Sequence, residues 1–478
     1  MSKQRHSNAV NLACSGNTEY LNAIGGRSGK APPFKKRNGQ AKPDLGKSPL
    51  GELLTTIGEE DCSASLRDLP SDAGITACKY IASYSWLNEK EPTIIVPGKP
   101  PLWTPLQAPK RLSVDTGQYF RDPNAARFPR YPIEPAVQAI FESHQAFPTE
   151  DIDVFACGST MGHLLRFVRA VDKPFRFSVQ VIGNTVFFVR KENDPREIIP
   201  DIRGYSHTFP DEYTTWEADV KGSDTHQRLI QYEFGGSKCL MRFECEGYID
   251  KLAAKDKAKS NSVAPGDNDI FQSFKATSVS QKASNVQDSL VIKTSGSEIP
   301  QSSIFDLKTR SHQYKASVDM TDFYPVLWLE QIPNFIIAYH DGAGLFHDIR
   351  VQDIRHSVRE WETDNEAARR RLAVLLRRIV EAVRADPRGL LEVYSPCKDR
   401  LEIRKQVGDG VETLPPVLKA RWEEGTTFAV SGDEEPCAMS AEETRSGLEE
   451  PDSEDDDGEK DFTACSAETC GYCGRCSY

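Results

Sequence analysis

The sequence predicts an α+β (α/β) fold, a mixed sheet flanked by helices and set between two disordered tails. Three observations predict it. Short β-patterned runs separated by turn residues recur between residues 93 and 349, and two of them, Phe175–Ile182 and Thr185–Arg190, are joined by Gly183-Asn184, a two-residue hairpin joint. One long amphipathic helix is written over 364–385, with Leu372, Leu375, Leu376, Ile379, Val380 and Val383 on its apolar stripe and Asp386-Pro387 as its stop. Charge is polarised to the ends. Residues 1–50 hold nine Lys/Arg against two acids and residues 431–478 hold fifteen acids against three basic residues, so the tail sets the net charge of −12 over 478 residues.

In chain order, 1–75 is a disordered basic arm rich in Gly, Ser, Asn and Lys. Its cluster Lys35-Lys36-Arg37 reads as a nuclear-import signal, a nucleic-acid contact or plain solvated charge. The core spans 76–430. Residues 93–96 form a strand stopped by Pro97-Gly98, and Trp103 anchors the proline-rich run that follows. Residues 134–142 make a helix, 151–155 a strand and 162–171 a helix carrying Arg166 and Arg169. The run 226–232 alternates as a strand. Residues 251–300 form a mobile insertion with a strand at 290–292. Residues 334–339 and 344–349 form a second hairpin. The polar face of the 364–385 helix, with Arg369, Arg370, Arg371, Arg377, Arg378 and Arg384, is either solvated or set against a phosphate backbone. An acidic disordered tail fills 431–464 and a Cys-rich terminus 465–478.

No run of eighteen apolar residues spans a membrane, and no apolar leader opens the chain. Eight of the twelve cysteines are scattered, which fits reduced thiols in a nuclear or cytoplasmic protein.

The chemistry concentrates between Arg242 and Arg310. "RFECEGY" at 242–248 and "IFDLKTR" at 304–310 both read as strands. Alternate residues of a strand share a face, so Glu244 and Glu246 point one way, as do Asp306 and Lys308. Pairing the two strands gathers three carboxylates and one ammonium, a repulsive set unless a divalent cation or the lysine lies among them. One reading is a Mg²⁺ or Mn²⁺ site that hydrolyses phosphodiesters; the other is two strands showing ordinary charge to water. Upstream, "GYSHTFPDEYTTW" at 204–216 places Asp211 and Glu212 in the first turn of a helix opened by Pro210. His226 and Arg228 alternate on a nearby strand, as phosphate contacts or as partners of neighbouring acids.

This series resembles the PD-(D/E)XK nuclease fold, and more closely the DXO-type decapping exoribonucleases. Glu244-Cys245-Glu246 resembles that family's Glu-x-Asp, Asp306-Leu307-Lys308-Thr309 its Glu-x-Lys-Thr, Trp328 to Gln331 its Trp-x-x-Gln helix, and "IIAYHDGAGLF" its following strand pair. The resemblance implies that Glu246 and Asp306 hold Mg²⁺ or Mn²⁺, that Glu244 supports the site, that Lys308 positions water or meets developing phosphoryl charge, and that Gln331 lines the site. It departs at the helix acid, where Pro210 follows Phe209 and Asp211 or Glu212 must serve as the further metal ligand. Both strand acids also differ in length from the family's. The resemblance covers roughly 200–355 and implies RNA as partner, with protein partners for the charged tails.

From about 80 to 355 the chain also resembles a fungal family whose members often carry the label geranylgeranyl pyrophosphate synthetase, through "PTIIVPGKPPLW", "GNTVFFVRKE" and "RFECEGY". A prenyl synthase needs two Asp-rich motifs on facing helices, and the only Asp run, Asp455-Asp456-Asp457, lies in the acidic tail. That reading is disfavoured. At the terminus Cys465, Cys470, Cys473 and Cys476 give C-x4-C-x2-C-x2-C, which suits structural Zn²⁺, an iron–sulfur cluster or a redox-active tail. Two functions follow: a metal-dependent nuclease-like protein acting on RNA 5′ ends or other nucleic acid, or a catalytically degenerate nuclease fold that binds nucleic acid or protein.

Overall fold

A computed structural model of the chain describes residues 43–64, 73–199, 202, 204–254, 289–312, 320 and 323–425. The basic cluster at 35–37, most of the 251–300 insertion, the acidic tail and the four terminal cysteines lie outside these residues.

The first strands are β1 (Leu53–Ile57), β2 (Thr76–Leu87), β3 (Thr93–Gly98), β4 (Leu102–Trp103), β5 (Val154–Cys157), β6 (Phe175–Ile182) and β7 (Thr185–Arg190). They are followed by β8 (Thr214–Thr215), β9 (Ser223–Phe234), β10 (Ser237–Glu244), β11 (Gly247–Tyr248), β12 (Val291–Gly296) and β13 (Ile304–Ser311). The last are β14 (Asn334–His340), β15 (Phe346–Asp353), β16 (Leu390–Cys397) and β17 (Arg400–Lys405). Two mixed sheets result. The larger runs β1-β17-β16-β6-β7-β5-β10-β9-β2-β3-β12 and the smaller β15-β14-β13-β11-β4-β8.

The helices that matter here are α1 (Glu59–Ala64), α2 (Pro123–Arg127), α3 (Glu134–Ser143), α4 (Gly158–Val168) and α5 (Thr208–Tyr213), then α6 (Tyr324–Leu329), α7 (Arg355–Asp364), α8 (Glu366–Ala385) and α9 (Pro416–Glu424). β5 shows how they flank the larger sheet. Its four residues are all buried, as expected of a strand with parallel neighbours, here β7 and β10, and cover on both faces. Val154 and Ala156 pack into the core under α4 and α8, beside Leu164, Leu165 and Leu372. Phe155 faces the opposite core, with Val137, Ile140 and Trp422 of α3 and α9. The period of two along one short strand thus serves two helical layers. The smaller sheet packs Phe305, Leu307 and Ile336 around Phe209 and Tyr213 of α5.

The expected mixed sheet flanked by helices is what the chain forms. The 175–190 hairpin pairs through Ile182 and Thr185, and β14 pairs antiparallel with β15. Three differences matter. First, the arm expected to lack structure up to residue 75 contains β1, which pairs with β17 at the edge of the larger sheet, and α1. Second, α1 changes the reading of the arginine-rich helix. Arg371 meets Glu59 at 3.6 Å and Arg378 meets Asp61 at 3.7 Å, while Arg384 donates to Asn184 O at 2.7 Å. The α8 arginines named here face protein acids and carbonyls, not an open phosphate path. Third, β16, β17 and α9 extend the fold beyond the elements read from the sequence.

α9 is held by one side chain. Trp422 is 1% exposed, its ring lies 5.2 Å from that of Phe187, and its Nε1 donates to Thr185 Oγ1 at 3.0 Å. Removing it leaves a large cavity and takes one hydrogen bond from Thr185, which keeps its bond to Ile152 O. Trp422→Ala is expected to cost about 3–5 kcal/mol in urea unfolding. A loss below about 1 kcal/mol would mean that α9 is not part of the cooperative core.

Candidate active site

Between β10 and β11 the chain passes from one sheet to the other. Glu244 still pairs with Gln227 of β9, and Cys245 N–H donates to His226 O at 2.8 Å. Two residues later Gly247 lies opposite Phe305 and Tyr248 opposite Ile304. Continuing this antiparallel register by one residue sets Glu246 across from Asp306. Gly247 has no room for a Cβ, which would run into the Phe305 ring and come within 2.8 Å of Pro101 O. The absent side chain is what lets the two sheets meet at this point.

On β13, Asp306 is 7% exposed and Lys308 Nζ donates to its Oδ1 at 2.7 Å. α6 brings a further acid. Buried Trp328 and Leu329 seat that helix in the core, and Glu330 ends it, its N–H donating to Val326 O at 2.9 Å. The Glu330 side chain is buried, and its Oε1 has no hydrogen-bond partner. That oxygen lies against Gly158 at the start of α4, where a Cβ would collide with it.

The charges act on one another. Burial pushes the Glu246 carboxyl up to about 8, with Lys308 opposing and Asp306 and Glu244 adding to the rise. Glu330 is pushed well above the usual carboxylate range, first by burial and then by Asp306, with Lys308 opposing. Glu244 rises to about 7 through burial and Asp224, against Gln227 and Arg127. By surface area Glu244 is exposed and Glu246 half-buried, although both carboxyls are strongly desolvated. The two observations agree if both line a recess that solvent enters but protein surrounds. One ammonium therefore serves at least three crowded carboxyls, the imbalance that a hard divalent cation relieves.

The donor chemistry fits such an ion, and the orphaned Glu330 oxygen is a ready ligand. The positions do not yet converge. Among the described residues no group of three or more His, Cys, Asp or Glu is arranged to hold a metal. Lys308 and the Leu307 N–H both donate to Asp306 Oδ1.

Not every residue expected at the site lies in this cluster. Asp211 is exposed, and the charges that act on it are Asp115, Asp224 and Glu212 rather than Asp306 or Glu246. Glu212 pairs with Lys110 at 2.6 Å. α5 is held in place by buried Asp115, which accepts from the N–H groups of His207 and Thr208 and from both neighbouring hydroxyls. Asp211 thus lies outside this group of charges, and Glu330 is the further acid that interacts with Asp306 and Glu246. His226 and Arg228 are 1% and 0% exposed. Instead of meeting phosphate, His226 Nδ1 bonds Ser85 Oγ, and Arg228 donates to Ile299 O and to Gln301 Oε1. Gln301 in turn donates to the carbonyls of Glu330 and Gln331, so Arg228 braces the turn that carries Glu330. Gln331 turns its amide back to Trp328 O at 2.5 Å. Glu330 was within the stretch singled out by sequence, but the resemblance favoured its neighbour. A helix-ending residue can swing either way, and no pattern in one sequence tells which.

A family model described as a domain of unknown function, DUF8563, matches residues 69–401. The chain belongs to this family. No curated protein matches it. Among solved structures, this DUF8563 chain is similar to Scheffersomyces stipitis Rai1 in complex with (3′-NADP)+ and calcium ion, at 12% identity and a TM-score of 0.48 over 78% of this chain and 100% of that one. It is also similar to Candida albicans Rai1 in complex with pU5-Mn²⁺, at 10% identity and 0.44, over 79% and 97%. K. lactis Dxo1 in complex with manganese follows at 7% identity and 0.42, over 77% and 98%.

Glu330 offers a direct test of the crowded cluster. Its folded-state affinity for a proton is raised, so the stability it lends is full below its unfolded value near 4.5 and is lost as pH rises toward its folded value. Glu330→Gln keeps the shape and removes the titration. The variant should match wild type in thermal midpoint at about pH 4 and exceed it by several degrees at about pH 8. Equal midpoints across that range would show that Glu330 is not confined among like charges.

Proposed function

We propose that this protein is a metal-dependent nuclease-like phosphodiesterase acting on RNA 5′ ends or other nucleic acid, in the manner of the decapping exoribonucleases that its motif series resembles. One observation carries the reading: the register of the β11–β13 pairing carries Glu246 toward Asp306, Lys308 donates to Asp306, and buried Glu330, with an unpartnered Oε1, is acted on by both acids.

Glu246, Asp306 and Glu330 would hold Mg²⁺ or Mn²⁺, with Glu244 adding negative charge at the margin. When bound, such an ion supplies Lewis-acid polarisation of a phosphoryl oxygen and lowers the pKa of a water. The chain's own residues do the rest. Lys308 carries its ammonium into the recess on the same strand face as Asp306, where it can meet charge that develops on a non-bridging phosphate oxygen. Arg228 acts at one remove, holding the Glu330 turn through Gln301.

A second reading has its own support. No three acids among the described residues converge on a metal, which favours a fold that binds nucleic acid without cutting it. A prenyl synthase has no support here, since none of the described helices carries an Asp-rich motif.

Cleavage of 5′-labelled capped, triphosphorylated and monophosphorylated RNA, with Mg²⁺ or Mn²⁺ and then EDTA, separates the two. The expected result is metal-dependent cleavage that falls by about 10²-fold or more in Asp306→Asn, Lys308→Ala and Glu330→Gln and persists in Asp211→Asn. Folded wild type that binds these RNAs and leaves them whole would replace the enzyme with the binding module. Equal loss in Asp211→Asn and Glu330→Gln would return the further metal ligand to α5.

A further inference from the structure

Charge of the opposite sign collects on another side of α4. There α4, β6, β7 and the segment around Ser48 enclose a cavity of about 50 Å³, lined by Arg176, Arg190, Lys191, His163 and Glu192 among others. Three cations and one carboxylate thus meet in the wall. Arg176 is 6% exposed, and its guanidinium donates to Ser48 O at 2.6 Å, Pro49 O at 3.1 Å and Glu392 Oε2 at 2.9 Å. Lys191 Nζ donates to the same Glu392 oxygen at 3.2 Å, so one buried carboxylate is shared by two cations. Arg190 Nε donates to Glu192 Oε1 at 2.6 Å. Burial and the Arg176 charge pull the Lys191 ammonium down to about 8, the sign of a site short of negative charge. His163 completes the wall as a neutral ring, its proton affinity lowered by burial and by Arg166, Lys173 and Arg190.

We propose that this cavity binds a single phosphate group, held by Arg176, Arg190 and Lys191. Its volume admits a few water-sized groups, enough for a tetrahedral oxyanion and too little for a base or sugar. Arg176 and Arg190 are already engaged by Glu392 and Glu192, so they add positive charge at the wall, and Lys191 adds a compact ammonium that an entering phosphate can share. The site shares no side chain with the acidic cluster, so the proposal does not rest on the nuclease reading. The two are nonetheless joined by α4. Gly158 borders Glu330 and His163 borders the cavity, five residues or about 7.5 Å further along the helix. The phosphate comes either as the free ion or as the end group of a nucleic acid.

The test is calorimetric titration of inorganic phosphate into the full chain, in EDTA, with ionic strength held by chloride. Saturable binding is expected, weakened about tenfold or more in Lys191→Ala and tightened several-fold in Glu192→Gln, which removes the competing carboxylate. A gain in Glu192→Gln cannot come from misfolding, so the pair of variants separates a site from a damaged fold. A 5′-phosphorylated oligoribonucleotide that displaces phosphate where its 5′-hydroxyl counterpart does not would assign the end group. Failure of both to displace it would assign the free ion. No saturable heat up to about 10 mM phosphate, or an affinity that neither variant changes, would overturn the proposal.

Discussion

The contact between Gly247 and Phe305 governs the rest of the site. Here the backbone of one sheet comes close enough to join another, and any side chain at 247 would hold them apart. The register of that short pairing sets Glu246 opposite Asp306. The repulsion between the acids of the two strands is a consequence of that backbone approach, whereas the draw of Lys308 toward Asp306 belongs to β13 alone. The large hydrophobic cores on either side supply the stability with which such like charges are held together.

The rest of the fold supports this join from several directions. α6 is fixed by Trp328, whose Nε1 donates to Glu362 Oε1 at 2.8 Å, and by the packing of its apolar face. The turn after it is held from beneath by the Arg228–Gln301 chain. Arg228 is fully buried and lies 4.6 Å from the Tyr80 ring, so part of its charge is met by an aromatic face. A residue that looked like a surface ligand is instead part of the frame. Buried arginines in strands are costly, and this one is retained where it sets the geometry of a turn bearing an acid.

What the sequence made legible follows the reach of its signals. Alternation and turn residues mark strands locally, so β6, β7, β9, β14 and β15 could be read, and the stripe of α8 marked a helix of full length. The Asp-x-Lys run was readable as a same-face pair because a strand's period is fixed, whereas the Glu-x-Glu run spans the break between β10 and β11, where that period no longer applies. Other features depend on partners far along the chain. β1 gains its order from β17, some 350 residues away, and α9 from Phe187 and Thr185. The commitment of α5 to Asp115 is likewise invisible in the run from 204 to 216, where Asp211 looked available. Glu330 escaped because its placement is set by a terminal turn and by Gly158 on another helix.

The Lys308–Asp306 ion pair has a consequence for how the site handles ions. Its ammonium already neutralises the Asp306 carboxylate, so a divalent cation held there as proposed would meet a competitor built into the protein. Binding would then be an exchange of one cation for another rather than the filling of an empty place, and its net strength would be the difference between the two. Such a difference is small even when each term is large. Monovalent salt, which weakens the lysine's hold, would ease the exchange up to the point where it screens the incoming ion as well. Under the proposed function Lys308 would act as a valve on occupancy: the recess is electrically tolerable when vacant, and metal would enter only when something else, such as a polyanionic ligand, gave the displaced ammonium a new partner.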